Sequence, residues 1–434
     1  MTELKKKIQD NTAKIGVIGL GYVGLPLAVE FGQAGFPVIG IDIDLRKVDA
    51  VNAGKSYIQD VPEADLEELV TQGMLRASSD FSVLREIDAV SICVPTPLRK
   101  SKDPDISYIM AAVQEIRNFL HPGQLIVLES TTYPGTTDEA ILPELSKSGL
   151  EVGKDFFLAF SPERVDPGNA HYNTKNTPKV IGGVTPQCSD VAKWLYEHAI
   201  NTVIAVSSTK CAEMVKLLEN TFRSVNIGLV NELALMCDKL EVDVWEVIQA
   251  AASKPFGFMP FYPGPGLGGH CIPIDPYYLA WKMKTLNYNA RFIELAGEIN
   301  ASMPAHVVTR IVDALNKHQK SVKGSRILML GIAYKRDIND VRESPALDII
   351  SILEKKGAEL YYHDPYIPQF SENSMTLNSS ELSSDFLKSM DCTVLVTDHS
   401  AFDYQWMVEH SQIFVDTRNV TKNISDPRDR VVKL

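Results

Sequence analysis

Lys14-Ile-Gly-Val-Ile-Gly-Leu-Gly-Tyr-Val-Gly24 is an apolar run that breaks into three glycines, Gly19, Gly21 and Gly24, ahead of a helical pattern lasting to Gln33. Gly35 ends that helix, Pro37-Val-Ile-Gly-Ile41 reads as the next strand, and Asp42 closes it 18 residues past the last glycine. Each position has a mechanical reason. Gly19 permits a tight turn, Gly21 lets backbone approach a pyrophosphate, and Gly24 lets helix and strand pack closely. The helix N-terminus offers unpaired N–H groups to phosphates. Asp42 can accept both ribose hydroxyls and repels a 2′-phosphate, so NAD is favoured over NADP. The expected cofactor contacts are Gly19, Gly21, Tyr22, Val23, Gly24 and Asp42. The competing reading is a purely structural glycine turn.

Further apolar runs at Ala89-Val-Ser-Ile-Cys-Val94 and Leu125-Ile-Val-Leu128 continue the alternation of strand and helix, which implies a parallel sheet covered on both faces. The pattern returns near Lys323. Arg326-Ile-Leu-Met-Leu330 is apolar, Gly331 starts a turn, Ser344 to Lys356 is helical, and Glu359-Leu-Tyr-Tyr362 leads to His363-Asp364. This copy lacks Gly-x-Gly-x-x-Gly and holds Lys335, Arg336 and Arg342 in its turn, so it is not expected to bind a dinucleotide in the same way. Between the copies, about Thr209 to Leu240 reads as one helix on the order of 45 Å long. The fold class is therefore α/β, with two Rossmann-like doubly wound parallel-sheet domains joined by a central helical region. The expected divisions are 1–207, 208–318 and 319–434.

The 434 residues suit roughly two to three domains. Hydrophobic residues make up 45% and charged residues 23%, ordinary values for globular material. A formal charge of −12 argues against broad attraction to nucleic acid or anionic membrane. The six cysteines form no Cys-x-x-Cys pair and the nine histidines no His-Glu-x-x-His, so no metal is expected. Met1 to Asn11 carries three lysines and no apolar run, unlike a signal peptide, and no segment is long and apolar enough to span a bilayer. A cytoplasmic protein with reduced thiols is the expectation.

The stretch from Pro255 to Pro276 is too rich in proline and glycine for helix or central strand. Gly264, Gly266, Gly268 and Gly269 let backbone come close to a ligand. Cys271 follows them just before a helix that starts near Pro276, and helix N-termini lower thiol pKa values. The alternative for Cys271 is a small buried hydrophobe; for Asp275, a helix cap. Lys216 and Asn220, four apart, share a helix face and could hold an oxyanion, or simply face solvent.

These pieces together resemble the UDP-glucose/GDP-mannose dehydrogenase family. The likeness rests on Gly19 to Gly24, Ser130-Thr131, Ser161-Pro-Glu163, Lys216-x-x-x-Asn220, Gly268-Gly-His-Cys271 with Asp275, and Tyr334-Lys-Arg-Asp337 with Arg342-Glu-Ser344, in the family's order over nearly the whole chain. The resemblance implies a four-electron, NAD-dependent oxidation of a sugar-nucleotide primary alcohol to a carboxylate. It implies that Cys271 forms a thiohemiacetal and then a thioester, with Lys216 and Asn220 at the oxyanion and Asp275 ordering water. It also makes Glu163 the base for hydrolysis, helped by Thr131. Family members often carry a second acid where this chain has Pro167, with Asp166 adjacent. Residues 319–434 would hold the nucleotide, Lys335 reaching a phosphate, while Arg342 would face the cofactor or the domain junction. Phe258 to Tyr262 and Gly266 would pack around uridine and sugar, and the long helix would pair two subunits into a homodimer.

The run Ser161-Pro-Glu-Arg-Val165 and the aromatic loop resemble the branch acting on UDP-N-acetylhexosamines, which makes UDP-N-acetylglucosamine the expected substrate, ahead of UDP-N-acetylmannosamine and UDP-glucose. Arg164 is then either a substrate contact or an ordinary surface ion pair. Two rivals remain at this point: a single two-electron oxidation of a hydroxy acid, which needs no thiol, and a nucleotide-sugar-binding protein without activity.

Overall fold

Strands whose successive residues are all apolar can be stable only where both faces are covered. Five of the first six strands are covered in that way: β1 (Ile15–Ile18), β2 (Val38–Ile41), β4 (Ala89–Ile92), β5 (Leu125–Leu128) and β6 (Phe157–Phe160) are buried at every position, the polar Ser91 of β4 included, while β3 (Leu75–Ser78) lies at the sheet edge. With β7 (Lys179–Gly183) and β8 (Val203–Ala205) they form one sheet in the order β3-β2-β1-β4-β5-β6-β7-β8. Ile15, Val17, Leu125 and Val127 face one core, and Ile18, Ile126 and Leu128 the other, as the two-residue period requires. The computed structural model describes residues 2–58, 60–99, 103–166, 168–169, 171–269, 271–372, 375–424 and 430–434, so Pro167 and His270 lie outside the described residues.

The sheet is parallel except where β7 meets β6, pairing Ala159 with Gly183 and Phe160 with Gly182 in antiparallel sense. A parallel return needs a crossover, usually a helix. Residues 161–178 carry no helix among those described, and β7 comes straight back along its neighbour. The reversal puts Lys179, the first residue of β7, at the carboxyl end of β6.

A second, all-parallel sheet has the order β10-β9-β13-β14-β15, from β9 (Arg326–Leu330), β10 (Glu359–His363), β13 (Cys392–Leu395), β14 (Phe414–Asp416) and β15 (Val431–Lys433). A short antiparallel pair, β11 (Gln369–Glu372) and β12 (Met375–Asn378), packs beside β10, Phe370 against Tyr362. Chain contacts divide the molecule into two units, one running to Glu219 and including Trp281–Tyr288, the other made of Asn220–Ala280 and Asn289–Leu434. The long helix, Thr209–Leu240, has 32 residues and runs without a break. Among the described residues no helix is long and apolar enough to cross a membrane.

In the second sheet the acid that ends β10 has a structural task. Asp364 is buried, and its Oδ2 accepts the N–H of Ile332 (2.8 Å) and Ala333 (3.0 Å), with His399 Nε2 at 3.0 Å. Asp337 N–H donates to His399 Nδ1, so Nε2 carries the proton and donates to Asp364. The carboxylate is thus spent on the turn after β9. Asp364→Ala leaves three buried donors without an acceptor, and we expect about 3 kcal/mol or more of lost stability in denaturant unfolding. A loss below about 1 kcal/mol would show that this turn is held some other way.

Candidate active site

The turn after β1 has the shape of a phosphate cradle. Gly19 sits at φ +93°, where a Cβ would lie 2.6 Å from the Cys93 carbonyl oxygen. At Gly24 a Cβ would run into the Gly19 carbonyl, so glycine is required for the helix Gly24–Gln33 to start where it does. Gly21 is different: a Cβ there meets nothing within 4 Å. That leaves open space beside the turn that leads into the helix, room for a ligand to approach the backbone. Tyr22 is exposed, and Val23 precedes the first helical residue. Asp42, nearly buried, accepts the N–H of Leu20 (2.8 Å) and Asp44 (2.9 Å) and pairs with Lys47 (3.1 Å). A carboxylate has about four acceptor positions, so these three contacts leave one over. Tyr57 hydroxyl donates to the Leu20 carbonyl and closes the turn from the other side.

The carboxyl ends of the same sheet gather polar groups, as open α/β sheets do at their ligand side. Thr131 is partly exposed just past β5. Glu163, past β6, is 9% exposed, and its Oε1 accepts the N–H of Arg164 (2.7 Å) and Val165 (2.8 Å). Its Oε2 faces Lys179 at 3.3 Å. Burial by itself pushes the Glu163 carboxyl up, but Lys179 foremost, then the Val165 N–H, Lys216 and the Arg164 N–H, hold it below the usual carboxylate range. Arg164 is engaged by the first unit itself, bonding Glu219 through Nε (3.2 Å) and Nη2 (2.6 Å) and the Pro178 carbonyl through Nη1 (2.6 Å). Lys216 is partly exposed on the long helix.

In the second unit the glycine loop precedes the helix Asp275–Thr285. Cys271 is partly exposed, whereas Cys93, Cys188, Cys237 and Cys392 are buried. Burial drives the Cys93 and Cys392 thiols well above their ordinary pKa, which makes them inert. The Cys271 carbonyl accepts the N–H of Asp275 at 2.8 Å, so Cys271 stands in the turn that leads into the helix. Asp275 is 2% exposed, and its Oδ2 accepts from Asn220 Nδ2 at 2.6 Å.

The loop's glycines answer to protein neighbours. A Cβ at Gly268 would lie 2.7 Å from Tyr334 Cβ, one at Gly269 2.6 Å from Tyr334 Cε2, and one at Gly266 3.1 Å from Pro345 Cβ. Gly264 N–H donates to Asn231 Oδ1 (2.9 Å), whose amide donates to Asn300 Oδ1 (2.8 Å). The Gly269 N–H donates to the Arg342 carbonyl (3.1 Å), while the Arg342 guanidinium chelates Asp340. Lys335 is partly exposed in the turn after β9. Phe258 and Tyr262 are exposed, Tyr262 stacking on Trp245. Two features carry no sequence signal that would have found them. Arg418 places Nη1 within 2.8 Å of where a Gly264 Cβ would be, and burial lowers its pKa. Lys179 opens an apolar strand yet is buried.

A glycine turn with an acid at the next strand end, in a doubly wound sheet, defines a dinucleotide-binding domain. Residues 13–200 match the NAD binding domain of the UDP-glucose/GDP-mannose dehydrogenase family, 210–302 its central domain and 328–423 its UDP binding domain. The UDP-N-acetyl-D-glucosamine 6-dehydrogenase of Pseudomonas aeruginosa is 37% identical over 356 residues, 82% of this chain and 83% of the relative. The UDP-N-acetyl-D-mannosamine dehydrogenase of Methanococcus maripaludis is 37% identical over 394 residues, 90% of this chain and 87% of the relative. The solved structure of the UDP-D-ManNAc dehydrogenase from Pyrococcus horikoshii superposes with a TM-score of 0.87 at 33% identity, covering 97% of this chain and 98% of that one. The chain belongs to the UDP-glucose/GDP-mannose dehydrogenase family: it is an NAD-dependent UDP-sugar dehydrogenase, an oxidoreductase.

The glycine geometry separates folding from cofactor binding. Gly21→Ala fits the unliganded turn and should leave unfolding stability within about 1 kcal/mol, because the added methyl meets nothing. It should still weaken NAD binding in calorimetry, because the methyl occupies the approach to the pyrophosphate. Gly24→Ala should lose both, with a stability loss of about 1–3 kcal/mol. Equal NAD affinity in Gly21→Ala and the unsubstituted protein would move the pyrophosphate elsewhere.

Proposed function

We propose that this protein oxidises the C6 alcohol of a UDP-N-acetylhexosamine, UDP-N-acetylglucosamine foremost, to the uronic acid through a thioester on Cys271. The observation that carries the reading is the partly exposed Cys271 in the turn that leads into a helix whose first residue, Asp275, is buried and bonded to Asn220. The acetamido sugar is supported by relatives named for UDP-N-acetylglucosamine, UDP-N-acetylmannosamine and an N-acetylgalactosaminuronic acid. A solved UDP-glucose dehydrogenase from Pyrobaculum islandicum is less similar, at 26% identity.

NAD, when bound, takes up the hydride that leaves C6 in each of two oxidations. The Cys271 sulfur adds to the C6 aldehyde formed by the first, making a thiohemiacetal that cannot diffuse away. Lys216 and Asn220 stabilise negative charge on its oxygen, and Asp275 orders the Asn220 amide while sharing in proton transfer with Lys216. Loss of the second hydride leaves a thioester. Glu163 then draws a proton from water, with Thr131 holding that water, and the C–S bond breaks to return the thiol. Asp166, three residues after Glu163, serves as an auxiliary acid in place of the residue usual at position 167.

In this reading residues 1–207 hold NAD through Gly19, Gly21, Tyr22, Val23, Gly24 and Asp42, residues 208–318 carry the thiol, and residues 319–434 hold the UDP moiety. Lys335 and Arg418 reach its phosphates, and Phe258, Tyr262 and Gly266 shape the nucleotide-sugar pocket. Arg342 serves the cofactor or the domain junction. For Arg164 to touch substrate it must exchange Glu219 for the sugar nucleotide. The long helix exposes Met214, Leu218, Phe222, Leu229, Met236 and Leu240 at spacings of four and seven, one apolar stripe suited to pairing with a second copy in a homodimer. Six free thiols and a nucleotide cofactor suit the cytoplasm.

The test is a panel of UDP-sugars assayed for NADH and for product mass. Two NADH per sugar and a uronic acid are expected, with the acetamido sugars fastest; one NADH per sugar, or UDP-glucose far ahead, contradicts the chemistry or the substrate respectively. Cys271→Ser should slow acid formation by orders of magnitude, and near-normal acid formation in that variant eliminates the covalent route.

A further inference from the structure

The first unit buries a charged cluster that the reaction above leaves unused. Glu129 follows β5 and is 1% exposed, Lys179 opens β7 at 4%, and Tyr196 ends the helix Pro186–Tyr196 at 0%. Lys179 Nζ lies 2.6 Å from Glu129 Oε2 and 3.3 Å from Glu163 Oε2. The Tyr196 hydroxyl donates to Glu129 Oε1 and lies 3.0 Å from Ser91 Oγ on β4. Two carboxylates thus share one ammonium away from water. Stability alone does not call for such a set, since apolar side chains of similar volume commonly do as well or better.

We infer that Lys179 is a positioning residue for Glu163, and that Glu129, held by Tyr196, sets how strongly Lys179 acts on it. This rests on Glu163 being the base for thioester hydrolysis. The two backbone N–H groups fix Glu163 Oε1, so the carboxylate cannot rotate, and Lys179 orients the remaining oxygen. An ammonium belonging to Glu163 alone would make that carboxylate too weak a base to take a proton from water. Glu129 prevents this by taking the closer contact. When water attacks, its O–H bond breaks, the proton goes to Glu163 Oε2, and its oxygen bonds the carbonyl carbon. The C–S electron pair returns to Cys271, and Glu163 then gives up the proton. The Glu129–Lys179–Glu163 set passes from one net negative charge to none as the proton arrives, which burial favours.

The groups facing Glu163 act in both directions. Lys179 from β7 and Lys216 from the long helix pull its pKa down. Glu129 from the end of β5 competes for Lys179, and its own carboxyl is raised, by burial first and despite Lys179. Burial would lower Lys179, but the two carboxylates hold it above the ordinary lysine value. Cys93 from the end of β4 and Tyr196 are raised by burial and stay neutral.

The experiment follows NADH and free acid separately after rapid mixing with NAD and UDP-N-acetylglucosamine, or its 2-epimer if that is the sugar oxidised, across pH. Glu163→Gln should give a burst of two NADH per active site followed by slow acid release. Lys179→Met should move the acidic limb of acid release up by about one pH unit or more, since an opposite charge is lost. Glu129→Gln should move it down and lower the plateau several-fold, since the base is weakened. Lys179→Arg should restore the unsubstituted profile. If Lys179→Met does not fold, the Glu129→Gln plateau decides alone. Shifts of the same sign in both variants, or unchanged limbs and plateaus while Glu163→Gln still stalls, overturn the inference and leave Glu163 as the base. Full-rate acid release by Glu163→Gln removes the reading beneath it.

Discussion

The proposed reaction needs a sulfur nucleophile that is held still and yet remains reachable, and those demands conflict in most folds, because a rigid surround usually means burial. The second unit resolves the conflict with backbone. Gly264, Gly266, Gly268 and Gly269 let the loop backbone lie directly on Tyr334, Pro345 and Arg418. Asn231 and Asn300 pin its start, and the helix from Asp275 fixes its end. Cys271 is left partly exposed in the turn that leads into the helix, while four of the other five cysteines are buried.

The first unit supplies charge in the same spirit. Its polar groups stand at the carboxyl ends of β4, β5 and β6 because every apolar strand there points the same way. The antiparallel β7 breaks that rule and, by doing so, delivers Lys179 to the same end. Topology and electrostatics are one fact here: a parallel β7 would leave Glu129 and Glu163 as two buried carboxylates with no shared cation, an arrangement in which one of them would have to be neutral.

The strongest periodic segments were legible in the sequence. The strand, glycine turn and helix from Lys14 to Gln33 stand where glycine mechanics puts them, and the helix from Thr209 to Leu240 has the bounds its lack of breakers implies. Less legible were features set by distant residues. A lysine ahead of Val-Ile-Gly-Gly reads as a solvated strand end, and only the antiparallel pairing buries it. Glu129 lies in Leu-Glu-Ser-Thr-Thr with no local mark of its partners. The loop glycines read as making room for a ligand, and nothing local in the sequence shows that they also admit Tyr334, Pro345 and Arg418. Arg164 had two readings, and its bonds to Glu219 and Pro178 are those of the ion pair.

The most direct measurement is mass spectrometry of protein quenched in acid during turnover with NAD and UDP-N-acetylglucosamine, or its 2-epimer if that is the sugar oxidised, using Glu163→Gln to slow hydrolysis. The peptide containing Cys271 should gain the mass of the uronyl nucleotide sugar in thioester linkage, and hydroxylamine should remove it. Acid product forming while that peptide keeps its unmodified mass would contradict the covalent account.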